Sequence, residues 1–157
     1  ARLGFDTLAD TAFRAMVCAR VIEPTSKADT VRVLAEIGAP APAVRTLFRA
    51  LERCQERDYR AQLATACLAQ VTRNAVLGLV LYDVTTLHFE ADDEDSLRKV
   101  GMSKERRVDP QVQVGLLVDP TGFPLEVHCF AGNTAETSTL LPVLEAFRER
   151  HQGTDLV

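Results

Sequence analysis

The sequence predicts an α+β fold in which a helical segment precedes a strand-rich half. Three observations carry this expectation. Apolar residues recur at helical spacing up to about residue 74, with Pro and Gly at the breaks. After Asn74 the pattern changes to apolar and alternating runs of strand length. Two of those runs flank Asp119-Pro120-Thr121-Gly122, a strong turn signal. The expected division is residues 1–74, helical, and residues 75–157, built on a sheet.

In the first half, "LADTAFRAMVCARVI" has the spacing of a helix that ends before Pro24, and Thr25 or Ser26 is expected to cap the next one. That second helix, "KADTVRVLAEIG", should stop at Gly38, because "APAP" places Pro40 and Pro42 where no helix continues. A third, "AVRTLFRALERC", puts Val44, Leu47, Phe48 and Leu51 on one face, and "YRAQLATACLAQVTR" supplies a fourth.

In the second half, "AVLGLVLYDV" is apolar nearly throughout, the pattern of a strand buried on both faces. "QVQVGLLVD" and "PLEVHCFAG" are expected to form an antiparallel hairpin around the turn. "NTAETSTLLPVLEAFRERHQG" reads as a helix capped at Asn133 or Thr134, with Leu140, Leu141, Leu144 and Phe147 on its apolar face and Gly153 as its stop. Pro142 fits that helix best if it starts near Thr139. The final "TDLV" has the look of a strand just begun, so the chain reads as a fragment.

Composition narrows the function classes. The chain has 157 residues, 46% of them hydrophobic and 25% charged, as expected of one domain or of two small parts sharing a core. No apolar run approaches the roughly 20 residues of a spanning helix, and the N-terminus lacks signal-peptide character, so a soluble, cytoplasmic protein without a membrane partner is expected. Cys18, Cys54, Cys67 and Cys129 stand far apart, as do His88, His128 and His151, which supports neither a zinc site nor a disulfide framework. The net charge of −4 argues against a uniformly basic coat but not against one basic stripe.

Two features could carry chemistry. Asp83 follows an apolar run, where a carboxylate is costly unless a cation or local backbone donors accompany it. Either a strand-end Asp or an oxygen ligand for a hard divalent ion fits the spacing. Beyond it, "EADDED" places Glu90, Asp92, Asp93, Glu94 and Asp95 just before Arg98, Lys99, Lys104, Arg106 and Arg107. Such blocks form a solvated loop, or a loop whose basic half meets a polyanion.

The stretches "YDVTTLHFE" and "LRKVGMSKERRVDPQVQVGLLVDPTGFPLEVHCFAGNTAET" resemble the core of bacterial insertion-sequence transposases of the DDE type, which have a ribonuclease H-like catalytic domain. The similarity runs from about Leu79 to Leu140, and "ARVIEPTSKADTVRVLAEIGAPAP" resembles the helical region before that core. The resemblance implies the first half of a ribonuclease H-like fold and metal-dependent phosphoryl transfer on DNA, with Asp83 as the first acid of the triad. It further implies Mg2+ or Mn2+ at Asp83, and double-stranded DNA with terminal inverted repeats as partner. Phosphate contacts would come from Arg98, Lys99, Lys104, Arg106 and Arg107. A homo-oligomer on DNA and a place with the bacterial nucleoid follow from the same resemblance.

The sequence also departs from that pattern. The second acid and the glutamate have no counterpart within these residues, and Asp155 lies on the wrong side of its strand to substitute, so the chain alone is expected to be inactive. In "AGNTAE", Glu136 reads as a first-turn acid facing the helix dipole, with a direct catalytic role as the lesser alternative. The two helices within 26–54 match a helix-turn-helix in length, with Arg45 and Arg49 on the second, although a plain helical hairpin gives the same pattern. The competing readings are a non-catalytic DNA-binding remnant or regulator derived from a transposase, and a nuclease that cuts without joining.

Overall fold

The computed structural model describes residues 3–73, 77–90, 93–102 and 109–151. It is a mixed α+β structure with five α-helices and one open antiparallel sheet of three strands among those residues. The chain divides into two compact units, residues 1–62 and 63–157.

The first unit is helical. After a 3-10 turn at Phe5–Leu8 come α1 (Thr11–Ile22), α2 (Thr30–Glu36), α3 (Val44–Glu56) and the start of α4 (Tyr59–Val71). Asp10 caps α1, its Oδ1 accepting the N–H groups of Ala12 and Phe13 at 3.1 and 3.0 Å. The other oxygen, Oδ2, accepts from Arg53 Nε at 2.8 Å and from the Tyr59 hydroxyl at 3.0 Å. One nearly buried carboxylate thus ties the start of α1 to the end of α3 and the start of α4. Neither Thr25 nor Ser26 caps α2, whose N-cap position is Asp29; the Ser26 hydroxyl instead accepts the Asp29 N–H at 3.1 Å in the turn before the helix. Gly38 ends that helix as anticipated, at φ 68°, and the Ala39 N–H returns to the Leu34 carbonyl.

The packing of α3 differs from expectation. Leu47 and Ala50 are its buried residues, against Ala12 and Met16 of α1, while Val44, Phe48 and Leu51 are exposed. The inward stripe is narrower than the apolar positions suggest: only Leu47 and Ala50 enter the cluster that Ala12 and Met16 form, with Phe13 and Val31 packed against it. A second cluster, Ala19, Val33 and Leu34, joins α1 to α2.

The second unit contains β1 (Leu81–His88), β2 (Gln111–Val118), β3 (Pro124–Ala131) and α5 (Leu140–Arg150), together with the rest of α4. The strands pair in chain order, so β2 is central. The predicted hairpin is present: Asp119 Oδ1 accepts from the N–H groups of Thr121 and Phe123 and from the Thr121 hydroxyl, and Gly122 adopts φ 85°. A register shift at Leu117/Val118 lets both Leu125 and Glu126 turn inward. The core gathers Leu68, Leu77, Leu117, Leu125 and Phe147, each burial contributing about 2 kcal/mol.

Two expectations are corrected here. The first strand is not buried on both faces: it begins at Leu81, stands at the sheet edge, and alternates exposed and half-buried residues. A strand paired on one side and covered on one face needs apolar residues only where it meets the covering layer. The last helix begins at Leu140 with Thr139 as its cap position, after a 3-10 turn at Glu136–Ser138, so neither Asn133 nor Thr134 caps it. This start puts Pro142 in the first turn, where no intrahelical N–H is required. Its buried face is Val143 and Phe147, whereas Leu141 is 66% exposed. The expected Gly153 stop and the strand at 154–157 lie outside the described residues.

Candidate functional site on the first strand and the following loop

Alternation along β1 turns Leu81, Asp83, Thr85 and Leu87 to one face, all exposed, and Tyr82, Val84, Thr86 and His88 to the other. Asp83 pairs in register with Leu116, which pairs with Val127, so a row of one acid and two aliphatic residues crosses the sheet. Leu116 and Val127 are also exposed, at 39% and 38%. Asp83 is the third residue of its strand and not its end, with no hydrogen-bond or ion-pair partner among the described residues. The strand-end explanation, in which local backbone satisfies the carboxylate, therefore does not apply. The side chain is displayed to solvent from an apolar surface.

The opposite face is covered. The Tyr82 hydroxyl donates to the Thr139 hydroxyl at 2.9 Å, which in turn donates to the Glu136 carbonyl at 2.7 Å. Gly115 on β2 leaves room for the Tyr82 ring, which a Cβ there would strike. Further along, fully buried Glu126 pairs with Arg150 and lies 2.9 Å from His128 Nε2. Burial alone pushes the Glu126 carboxyl up, but the His128 and Arg150 donors outweigh it and leave the group below its ordinary range. Burial lowers the neighbouring His151, whose ring meets Phe147 edge-on at 4.7 Å.

After β1 the ladder continues through the Phe89 N–H to the Pro110 carbonyl. Residues 93–102 then fold back on the sheet. Lys99 and Gln111 exchange both backbone hydrogen bonds, at 3.0 and 2.9 Å, and the Gly132 N–H reaches the Leu97 carbonyl at 3.0 Å. The crossing is too close for side chains at two positions: a Cβ on Gly132 would meet the Gln111 and Lys99 carbonyls, and one on Gly101 would meet Gly132. Buried Gln111 stabilises the junction by donating to the Gly132 carbonyl, and Gln113 does the same for Thr134. Sequence reasoning missed these two glutamines, although the alternating amides of "QVQV" on a central strand were the available signal.

Within this pinned loop the two halves of the charge block meet. Asp95 Oδ1 accepts from the N–H groups of Leu97 and Arg98 at 2.8 and 2.6 Å, and its Oδ2 accepts from Arg98 Nε at 2.8 Å. Glu94 accepts from the Val100 N–H at 2.6 Å and pairs with Lys99 Nζ at 3.3 Å. The Arg98 N–H and guanidinium, helped by the Leu97 N–H, hold the Asp95 carboxyl at about 2. The Val100 N–H and then Lys99 lower Glu94 in the same direction. The Arg98 guanidinium also stands 5.8 Å from the centre of the Phe89 ring.

The structure thus places Asp83 on the open sheet face, and Arg98 and Lys99 in a loop anchored to the opposite end of the same strand pair. Lys104, Arg106, Arg107 and Asp155 lie outside the described residues. Glu136 begins a 3-10 turn and is exposed. Arg45 and Arg49 are exposed on α3, one helical turn apart. Among the described residues no group of three His, Cys, Asp or Glu side chains is arranged to hold a metal ion, and no helix is long and apolar enough to cross a membrane. Asp83 fits a divalent ion as one oxygen ligand, and these residues do not complete a ligand set around it. No family model, curated protein or solved structure matches the chain.

Proposed function

We propose that this chain is part of a DNA-transposing protein of the DDE type, whose sheet belongs to a ribonuclease H-like core and whose Asp83 is one of its metal-ligating carboxylates. The observation that supports this reading is Asp83 itself: a partnerless carboxylate displayed on an apolar sheet face. Hard divalent ions take carboxylate oxygens together with water, and an exposed carboxylate with no protein partner among the described residues has its oxygens available to one. Three antiparallel strands in chain order with a helix on one face are compatible with the start of that core. The metal, when the remaining ligands are supplied, would activate the attacking oxygen and stabilise the leaving one. The part of this chain is to offer one ligand oxygen and to hold DNA phosphates through its basic residues.

Manganese titration followed by paramagnetic broadening of backbone amide signals tests the reading. Broadening centred on residues 82–84 and 115–117 is expected, and Asp83→Asn should abolish it. Broadening that persists unchanged in the variant removes Asp83 from metal binding. A second reading, a non-catalytic DNA-binding protein derived from a transposase, rests on Arg45 and Arg49, exposed one helical turn apart on α3. It predicts binding of double-stranded DNA with no manganese effect at Asp83.

A further inference from the structure

The acidic residues preceding Arg98 and Lys99 are not a loose solvated block. Asp95 and Glu94 each combine backbone N–H donors with one cation, and both oxygens of each carboxylate are engaged. The donors these acids occupy are of the kind a phosphate oxygen seeks: a guanidinium Nε, an ammonium and backbone N–H groups. The loop carrying them is fastened to β2 and to Gly132 by three backbone hydrogen bonds. Arg98 is further restrained against Phe89. The backbone that carries both bases is therefore held in place whether or not the acids engage them.

We propose that Glu94 and Asp95 form an autoinhibitory contact, occupying the phosphate-binding groups of Arg98 and Lys99 until a nucleic acid strand displaces them. This rests on the DNA-binding reading above and adds regulation to it. The exchange needs only side-chain rotation, because the backbone crossing at Gly101, Gln111 and Gly132 stays fixed. Exposed ion pairs of this kind are individually weak, so a polyanion with several phosphates can outcompete them. The loop would thus bind a single small anion poorly and an extended backbone well.

The test is a double-mutant cycle on binding of a fluorescent double-stranded oligonucleotide, followed by anisotropy at low and moderate salt. Glu94→Gln with Asp95→Asn keeps the acceptor oxygens that shape the turn and removes the charges, and should tighten binding about fivefold. In a background of Arg98→Ala with Lys99→Ala that gain should vanish, since nothing remains to unmask. Asp93→Asn controls for net charge and should give a smaller gain. An equal gain with and without the two bases would overturn the proposal while leaving DNA binding intact. Absence of binding by both the parent chain and the acid-neutralised variant would instead sink the DNA-binding reading of this loop, and the masking with it. Circular dichroism on each variant verifies that the fold is retained.

Discussion

Asp10 shows how much one side chain can hold in the helical unit. Its carboxyl is drawn down to about 2, first by the Arg53 hydrogen bond and further by the Phe13 N–H and the Tyr59 hydroxyl, against the opposing effect of burial. Asp10→Ala removes a helix cap and leaves Arg53 without its partner, so a loss of about 3 kcal/mol is expected in urea unfolding. Asp10→Asn keeps the cap and should cost less. Because the folded carboxyl lies below its ordinary 3.8, its contribution is complete above that value and disappears as pH falls toward about 2. Glu126 and His151 act in the same direction through different chemistry. Glu126 is lowered by its donors, so its contribution is lost as pH falls below the ordinary 4.5. His151 is lowered by burial, so below 6.5 the unfolded chain takes up a proton that the folded chain resists, and stability falls there too. Thermal melts from pH 8 to pH 4 should show a declining Tm, with the decline between pH 7 and pH 5 reduced in His151→Phe. An unaltered slope in that variant would assign the loss to other groups.

At the scale of elements, the helices and the hairpin were largely legible, and the surfaces they present were not. Helix spacing, the Gly38 stop and the Asp119–Gly122 turn follow from local chemistry, which sequence records directly. Which apolar residues are buried depends on partners that come from elsewhere in the chain, so the α3 stripe and the covered side of β1 were misjudged. Asp83 was legible as a residue out of keeping with its strand, but its facing solvent depends on the register with Leu116. The pairing of Arg98 with Asp95 was hidden by a pattern that equally suits an unstructured loop. Gly115 gives a test at this scale: Gly115→Ala should cost about 2 kcal/mol through collision with the Tyr82 ring, and much less in a Tyr82→Leu background. Equal costs in the two backgrounds would show that β2 does not rely on that close approach.

For the whole molecule, the sheet-bearing unit has one covered face and one face showing Leu81, Leu87, Leu116 and Val127. β1 is also the edge of the described sheet, with neither Pro nor Lys along it. Unpaired strand edges beside an apolar face associate unless something caps them. Sedimentation velocity should therefore reveal concentration-dependent self-association, weakened by Leu87→Lys, which places a charge on the open face. Association unchanged by that substitution would locate the contact elsewhere.

The five-residue connection between β2 and β3 also has a consequence for time, since the strands it joins meet far sooner than β1 can meet β2 across residues 89–110. Closing the longer loop costs about 1 kcal/mol more in chain entropy, so the β2–β3 hairpin is available as a template on which β1 docks late. Substitutions at the Asp119 turn should then slow refolding, while those on β1 should chiefly hasten unfolding. The strand that carries Asp83 would be the last of the three to arrive and the first to leave.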